Sequence, residues 1–292
     1  MNLLLFMPAR RLCACAGTLL LLANLARAQP TEVSDPVPEE PLGISLDDFT
    51  TRNVVTDRPL LAYQPIRESD ILWETRMWRI IDIREKMNLP FAFPEAPLAQ
   101  ILGVAALSGN LTVYDPVDDK FSHPMRPAEL QAALFRTDSI ITIDVETGME
   151  QLQIVQQAPD WNAVKRFRLK EAWFFDAKTS TLRFRILGIA PLINVTNSQG
   201  DFLYERPLFW VHYPSARPVL ARQKAYTHGN NLAATTTWED LFEMRYFAST
   251  VYKENNLYDR RIEHYLSGVD ALYEAGKIND ALFNREQDVW AW

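Results

Sequence analysis

Polar and apolar positions alternate most regularly over residues 164–191. Phe167, Leu169, Trp173 and Phe175 recur at every second position, interrupted only by Glu171. After the polar run Asp176-Ala177-Lys178-Thr179-Ser180, the positions Leu182, Phe184 and Ile186 alternate against Arg183 and Arg185. Period two sets one side of a strand on a core and the other toward water or a partner. The stretch therefore predicts a hairpin of two strands with a short polar turn. Phe174 falls on the side opposite Trp173 and Phe175, so that side is not purely polar. Gly188 and Pro191 are expected to close the second strand, because proline cannot donate to a ladder.

Elsewhere the pattern switches to helical spacing. Ser69 or Asp70 can cap a helix over about 71–88, carrying Met77, Ile80, Ile81 and Met87 with Trp73 and Trp78 nearby, and ended by Pro90 and Pro94. Pro97 can start a second helix with the stripe Leu98, Ile101, Leu102 and Ala105, stopped at Gly109-Asn110. Short strands are expected at Leu111–Tyr114, Ile140–Val145 and Leu152–Gln157, and a brief helix at Pro127–Phe135. Leu208-Phe209-Trp210-Val211-His212-Tyr213 is apolar on both sides and reads as an interior strand ending at Pro214. Thr237 caps a helix through Leu241, Met244, Ala248 and Val251, with Glu239 and Asp240 in its first turn. Another runs through Ile262, Tyr265, Leu266, Val269 and Leu272 until Gly276. The helical stretches 71–109 and 237–276 also share short sequence matches, which raises an internal repeat as a hypothesis. The terminal Trp290-Ala291-Trp292 predicts a docked end. The fold class that follows is α+β: a central, mostly antiparallel sheet with an aromatic-rich hairpin, flanked by N- and C-terminal helical segments.

The first 28 residues read as a signal peptide. Arg10 and Arg11 supply a charged region, Gly17 to Ala26 is apolar apart from Thr18 and Asn24, and Ala26-Arg27-Ala28 predicts cleavage between Ala28 and Gln29. The apolar run is short for a transmembrane helix. Cleavage removes three arginines and no acid, leaving 27 bases against 37 acids, net −10. It also removes Cys13 and Cys15, the only cysteines, so an exported chain must rely on its core and not on disulfides. Residues 29–67 are rich in proline and acids and read as an extended or disordered arm. Within it, 46–67 carries scattered apolar groups that suit an arm laid along its own domain or a neighbour's. Residues 68–292 are then a single domain. The acidic balance argues against nucleic acid and anionic membranes as main ligands.

Catalytic constellations are sparse. His123, His212, His228 and His264 show no metal-ligand spacing, and no nucleophile elbow, phosphate loop or dinucleotide fingerprint occurs. The pairs Asp118-Asp119 and Glu239-Asp240 have acid–base chemistry available, yet nothing in the sequence places a partner carboxylate at the required distance, and a turn and a helix start explain them without chemistry. The basic positions Arg166, Arg168, Lys170, Arg183 and Arg185, with Trp173 and Phe174, make one hairpin side a candidate partner interface, a solvated strand face being the alternative. Surplus exposed aromatics mark protein interfaces. From the residues alone, the chain is an exported binding or assembly component with no cofactor and no metal.

One combination of motifs goes further. Ile81-Asp82-Ile83-Arg84-Glu85-Lys86-x-Asn88 is followed by Lys170-Glu171-x-Trp173-Phe174-Phe175-Asp176, Gly188-Ile189-Ala190-Pro191 and Leu208-Phe209-Trp210-Val211-x-Tyr213-Pro214. Then come Asp240-Leu241-Phe242-x-x-Arg245-x-Phe247 and Tyr252-Lys253-Glu254-x-Asn256-x-Tyr258-Asp259-Arg260. In this order they resemble the GldN/PorN gliding motility family of the type IX secretion system in Bacteroidetes, over roughly 68–292. The resemblance implies a structural periplasmic subunit and not an enzyme. It implies a large ring formed with an outer-membrane lipoprotein of GldK/PorK type, beneath the outer membrane, and contact with an inner-membrane motor protein of GldM/PorM type. A periplasmic hydrolase or glycan-binding module is the competing reading, which a concave pocket with convergent carboxylates would favour.

Overall fold

The computed structural model describes residues 54–290 apart from 56, 144–149, 198, 200, 228–230 and 232. The proposed cleavage site at Ala28 and Gln29, most of the arm, His228 and the terminal Trp292 lie outside the described residues. In chain order the elements are β1 (Ile71–Asp82), a 3-10 turn (Lys86–Ala92), α1 (Leu98–Leu107), β2 (Val113–Tyr114), β3 (Pro124–Met125) and α2 (Pro127–Leu134). They continue with β4 (Arg136–Ile143), β5 (Glu150–Gln157), β6 (Arg166–Asp176), β7 (Thr181–Thr196), β8 (Phe202–Pro207) and β9 (Trp210–His212). The last are α3 (Tyr213–Leu220), α4 (Trp238–Glu243), β10 (Thr250–Glu254) and α5 (Val269–Trp290).

One eight-stranded sheet organises these pieces in the order β10-β1-β6-β7-β9-β2-β3, with β8 paired to β7 beside β9. Each of its pairings is antiparallel. The fold is α+β, as the sequence pattern predicts, and β6 with β7 forms its central hairpin. β4 and β5 pair separately as a two-stranded sheet.

The largest departure from expectation is β1. Residues 71–82 form a central strand and not a helix, paired from Ile71↔Asp176 to Asp82↔Arg166 with β6. Its outer half alternates between half-buried and exposed positions, but Met77, Trp78 and Arg79 are all buried. Two-sided burial blurs period two, and Met77 with Ile81 then mimics a helical step. Aromatic and β-branched side chains fit the pleated surface that the hairpin offers.

Because opposite residues share a face, Met77, Arg79 and Ile81 lie with Glu171, Leu169 and Phe167. This face carries both apolar clusters. The larger gathers Ile81, Phe167 and Leu169 under Leu98 and Leu102 of α1, Tyr213 of α3, and Leu241 and Phe242 of α4. The smaller joins Met77 and Val251 to Ala275, Ile278 and Leu282 of α5. Between them lies a buried polar junction. Glu171 is fully buried; Arg79 donates to it through Nε at 3.1 Å, Arg245 reaches its other oxygen, and Arg79 Nη2 donates to Asn279 of α5 at 2.7 Å. The residue that interrupts the apolar pattern of the hairpin is thus the anion that joins two cores.

Other boundaries shift for identifiable reasons. β7 runs past Gly188 and Pro191 to Thr196. Its outer edge pairs with β9 at Gly188 and Ile189 and with β8 from Leu192, so Pro191 falls in the gap, where its carbonyl accepts from Leu208. Gly188 serves close packing instead: a Cβ there would stand 2.5 Å from the Phe121 ring. α4 starts on the expected Thr237–Asp240 capping box but ends at Glu243, where Arg245 takes a positive φ of 51°. Val251 then belongs to strand β10, not to a continued helix. Gly268, at φ 58°, precedes α5, and Gly276 lies within that helix instead of breaking it. Since 71–82 is a strand while 238–243 is a helix, the two stretches of the repeat hypothesis do not fold as matching helical pairs. Helix α3, entered through Pro214, has no counterpart in the sequence reading.

Candidate functional site

The basic residues of the hairpin separate into distinct settings. Arg166 bridges Asp82 at 3.2 Å and Glu205 at 3.3 Å, and Arg183 lies 3.4 Å from Asp176. Lys170 is buried, donates to the Asp119 carbonyl at 2.6 Å and lies over the rings of Trp78 and Phe121. Burial pushes its ammonium below the usual lysine value, with the Asp119 carboxylate pulling the other way. Arg168 lies over the Tyr252 ring at 5.4 Å, and its Nε is buried without an acceptor. Trp173 is half-buried, donates from Nε1 to Glu171 at 2.9 Å and faces the Arg245 guanidinium. Phe174 is buried at 4% exposure, so neither it nor Lys170 presents a free surface. The hairpin supplies no continuous basic face; its partly exposed candidates are Arg166, Arg168, Arg183, Arg185 and Trp173.

Arg185 has a further task. Together with Arg217 of α3 it sandwiches the Tyr63 ring, at 3.7 and 3.8 Å from the centroid. The Tyr63 hydroxyl donates to Glu243, which also accepts from Tyr213 at 3.1 Å. Burial, then the Glu243 hydrogen bond and charge, push the Tyr63 phenol well above its usual value. Around this ring Arg217 donates to the Leu61 carbonyl at 2.8 Å, Arg185 reaches the Gln64 carbonyl at 3.4 Å, and Arg58 pairs with Asp240 at 2.6 Å. The segment 58–64 is therefore strapped to its own domain, the first of the alternatives that the scattered apolar residues leave open. Arg217 is 5% exposed and also paired to Glu239 at 2.6 Å, so the clamp is pre-set by α3 and α4. Tyr63, Arg217 and Glu243 carry no periodic signal, because they meet only across long stretches of chain.

The opposite sheet face holds a cleft of about 660 Å³ lined by Trp78, Asp119, Arg168, Tyr252 and Lys253, with Tyr204 and Arg206 of β8 on one wall. Its carboxylates are committed: Asp119 to Lys170, Asp259 to Lys253 at 2.5 Å, and Glu205 to Arg166. Burial raises the Tyr252 phenol to about 12. Asp119 is thus a lysine partner here. Of the other pair, Glu239 holds Arg217 and Asp240 caps α4, where its Oδ2 accepts from the Thr237 amide at 3.0 Å. Among the described residues no group of His, Cys, Asp and Glu is arranged to hold a metal ion.

The surface is rich in apolar side chains. Phe202, Leu203 and Tyr204 follow one another on β8 and are each more than half exposed. Tyr258 and Tyr265 flank Arg260, and Val269, Leu272, Tyr273 and Phe283 stand out from α5. None of the described helices is long and apolar enough to cross a membrane.

A family model described as gliding motility associated protein GldN matches residues 66–291, which is nearly the whole compact unit of Arg52–Trp292. The chain belongs to the GldN family. It is a gliding motility protein associated with type IX secretion. No curated protein matches the chain. The family match begins at residue 66, just after the Tyr63 strap, so the clamp joins the sheet of the GldN unit to a segment that the match leaves out.

Proposed function

We propose that this GldN-family protein is a structural subunit of the secretion and gliding machinery, located in the periplasm after cleavage at Ala28. In this reading it is held under the outer membrane by a lipoprotein of GldK/PorK type, repeats with it in a large ring, and meets an inner-membrane protein of GldM/PorM type. The observation that carries the reading is the family match across 66–291, with a surface made of exposed aromatic strips. Such strips suit packing of repeated copies, since aromatic anchors supply much of the energy of interfaces. The partly exposed hairpin residues Trp173, Arg166, Arg168, Arg183 and Arg185 join them as candidate contacts. The carboxylates of the cleft are tied up in ion pairs, an arrangement that gives a hydrolase or glycan-binding reading little support.

The test is recovery of tagged mature protein from gently solubilised envelopes, followed by sizing and identification of what comes with it. The expected result is a very large assembly containing one lipoprotein and one inner-membrane protein. Recovery as a lone monomer, with folding intact, would overturn the assembly reading.

A further inference from the structure

Helix α5 is apolar on two sides. Its inner side, Ala275, Ile278 and Leu282, packs with Met77 of β1 and Val251 of β10. Its outer side carries Val269, Leu272, Tyr273 and Phe283, each more than half exposed. At about 100° per residue these four lie within about 60° of a line through Gly276, roughly 130° round the helix from the buried stripe. A surface helix ordinarily has one apolar stripe, with polar residues opposite it. Here a shallow groove of about 510 Å³ runs over the outer side, with Leu272, Tyr273, Gly276 and Asp280 in its lining.

Gly276 weakens the helix without serving its own chain. Glycine is the poorest helix former after proline, and a Cβ added here would meet nothing within 4 Å. Its use is to let another backbone come close. The outer stripe is also symmetric about it, since Val269 and Phe283 each stand seven residues away, two turns to either side. Tyr273 lies three residues before Gly276 and Asp280 four residues after it, both on the same flank of the stripe. Among the described residues neither the Tyr273 hydroxyl nor the Asp280 carboxylate has a partner, while the neighbouring Lys277 is paired with Glu274 at 3.2 Å.

We infer that the outer side of α5 pairs antiparallel with α5 of a second copy of this chain, the two helices crossing at Gly276. A two-fold axis at the crossing sets Val269 against Phe283 of the other copy, at both ends of the contact. It also brings Tyr273 to the level of Asp280 of the other copy on the same flank, so the one charge within the stripe accepts from a hydroxyl. The two Asp280 carboxylates stay about 12 Å apart, beyond the screening length of about 8–10 Å. A helix of another protein would need this spacing supplied separately, whereas a second copy brings it by symmetry. Such a pair closes on itself, so it makes dimers and leaves growth of a ring to other surfaces. The inference goes beyond the assembly reading, and purified protein tests it whether or not the envelope complex is recovered.

The chain from Gln29 onward contains no cysteine, so single thiols can be placed at will. Val269→Cys and Phe283→Cys proteins are purified and treated with a short bis-maleimide, each alone and then mixed. A crosslinked dimer is expected from the mixture and lost from either variant alone, because like positions lie about 21 Å apart across the axis. Gly276→Leu should weaken self-association at least about tenfold by sedimentation equilibrium, since its side chain fills the crossing point. Its thermal melt should not fall, leucine being the better helix former. Absence of the crosslink in a folded mixture would overturn the inference, and would be the result if another segment of the same chain covers the stripe. Equal crosslinking of a single variant would overturn the antiparallel pair. Unchanged or tighter association of Gly276→Leu would reduce the contact to general apolar adhesion and overturn the crossing at Gly276.

Discussion

Asp82 ends β1 with four N–H groups around its carboxylate. The Arg84 side chain donates from Nη2 at 2.5 Å and from Nε at 2.9 Å, the Arg84 amide at 3.0 Å, and Arg166 Nε at 3.2 Å. The Arg84 side chain is the first cause, and with the other two donors it holds the carboxyl well below the usual carboxylate range, against partial burial. The folded state therefore binds the proton less readily than the unfolded one. The resulting stabilisation is fully present above the unfolded value of about 3.9 and is lost as pH falls from there toward the folded value. Urea midpoints of the wild type and Asp82→Asn should differ at neutral pH and converge below about pH 4. A difference that persists unchanged into acid would show that Asp82 acts through shape and not charge. Arg166 was legible as a basic hairpin residue; its use to anchor β1 and β8 was not, because Asp82 and Glu205 lie far from it in sequence.

At the scale of elements, helix α1 was readable almost to the residue. Its apolar stripe, the Pro97 start and Gly109 at φ 75° agree with one another. What places it on the sheet was hidden. Gly103 faces Trp161, and a Cβ at this glycine would stand 2.0 Å from the indole, far inside contact distance. Gly103→Ala should therefore cost about 1–3 kcal/mol, read as a lowered melting temperature, even though alanine is the better helix former. A stabilised variant would mean that Trp161 swings away freely. β1 shows the opposite case: its local pattern pointed to a helix, and pairing with β6 and β10 overrode it.

For the whole molecule, the Tyr63 clamp ties the strap 58–64 to the unit that the GldN match covers. Tyr63→Ala removes the ring from between Arg185 and Arg217 together with its hydrogen bond to Glu243. Thermolysin should then cut before Leu61 several-fold faster, while the rest of the unit stays resistant. An unchanged rate would mean that Arg58–Asp240 and the Leu61 carbonyl hold the strap alone.

The sequence by itself determined the central hairpin, helices α1 and α2, the start of α4 and the α+β class, because local periodicity, capping and turn chemistry act over a few residues. Its motif order also pointed to the GldN family. Tertiary structure alone decided that 71–82 is a strand, because burial on both faces erases the period that would identify it. It also decided that Glu171 joins two cores, that Phe174 and Lys170 lie inside, and that Tyr63 is clamped. Each of these depends on charges and rings brought together from distant parts of the chain, where Coulomb attraction and burial act on spatial neighbours and leave no trace in local spacing.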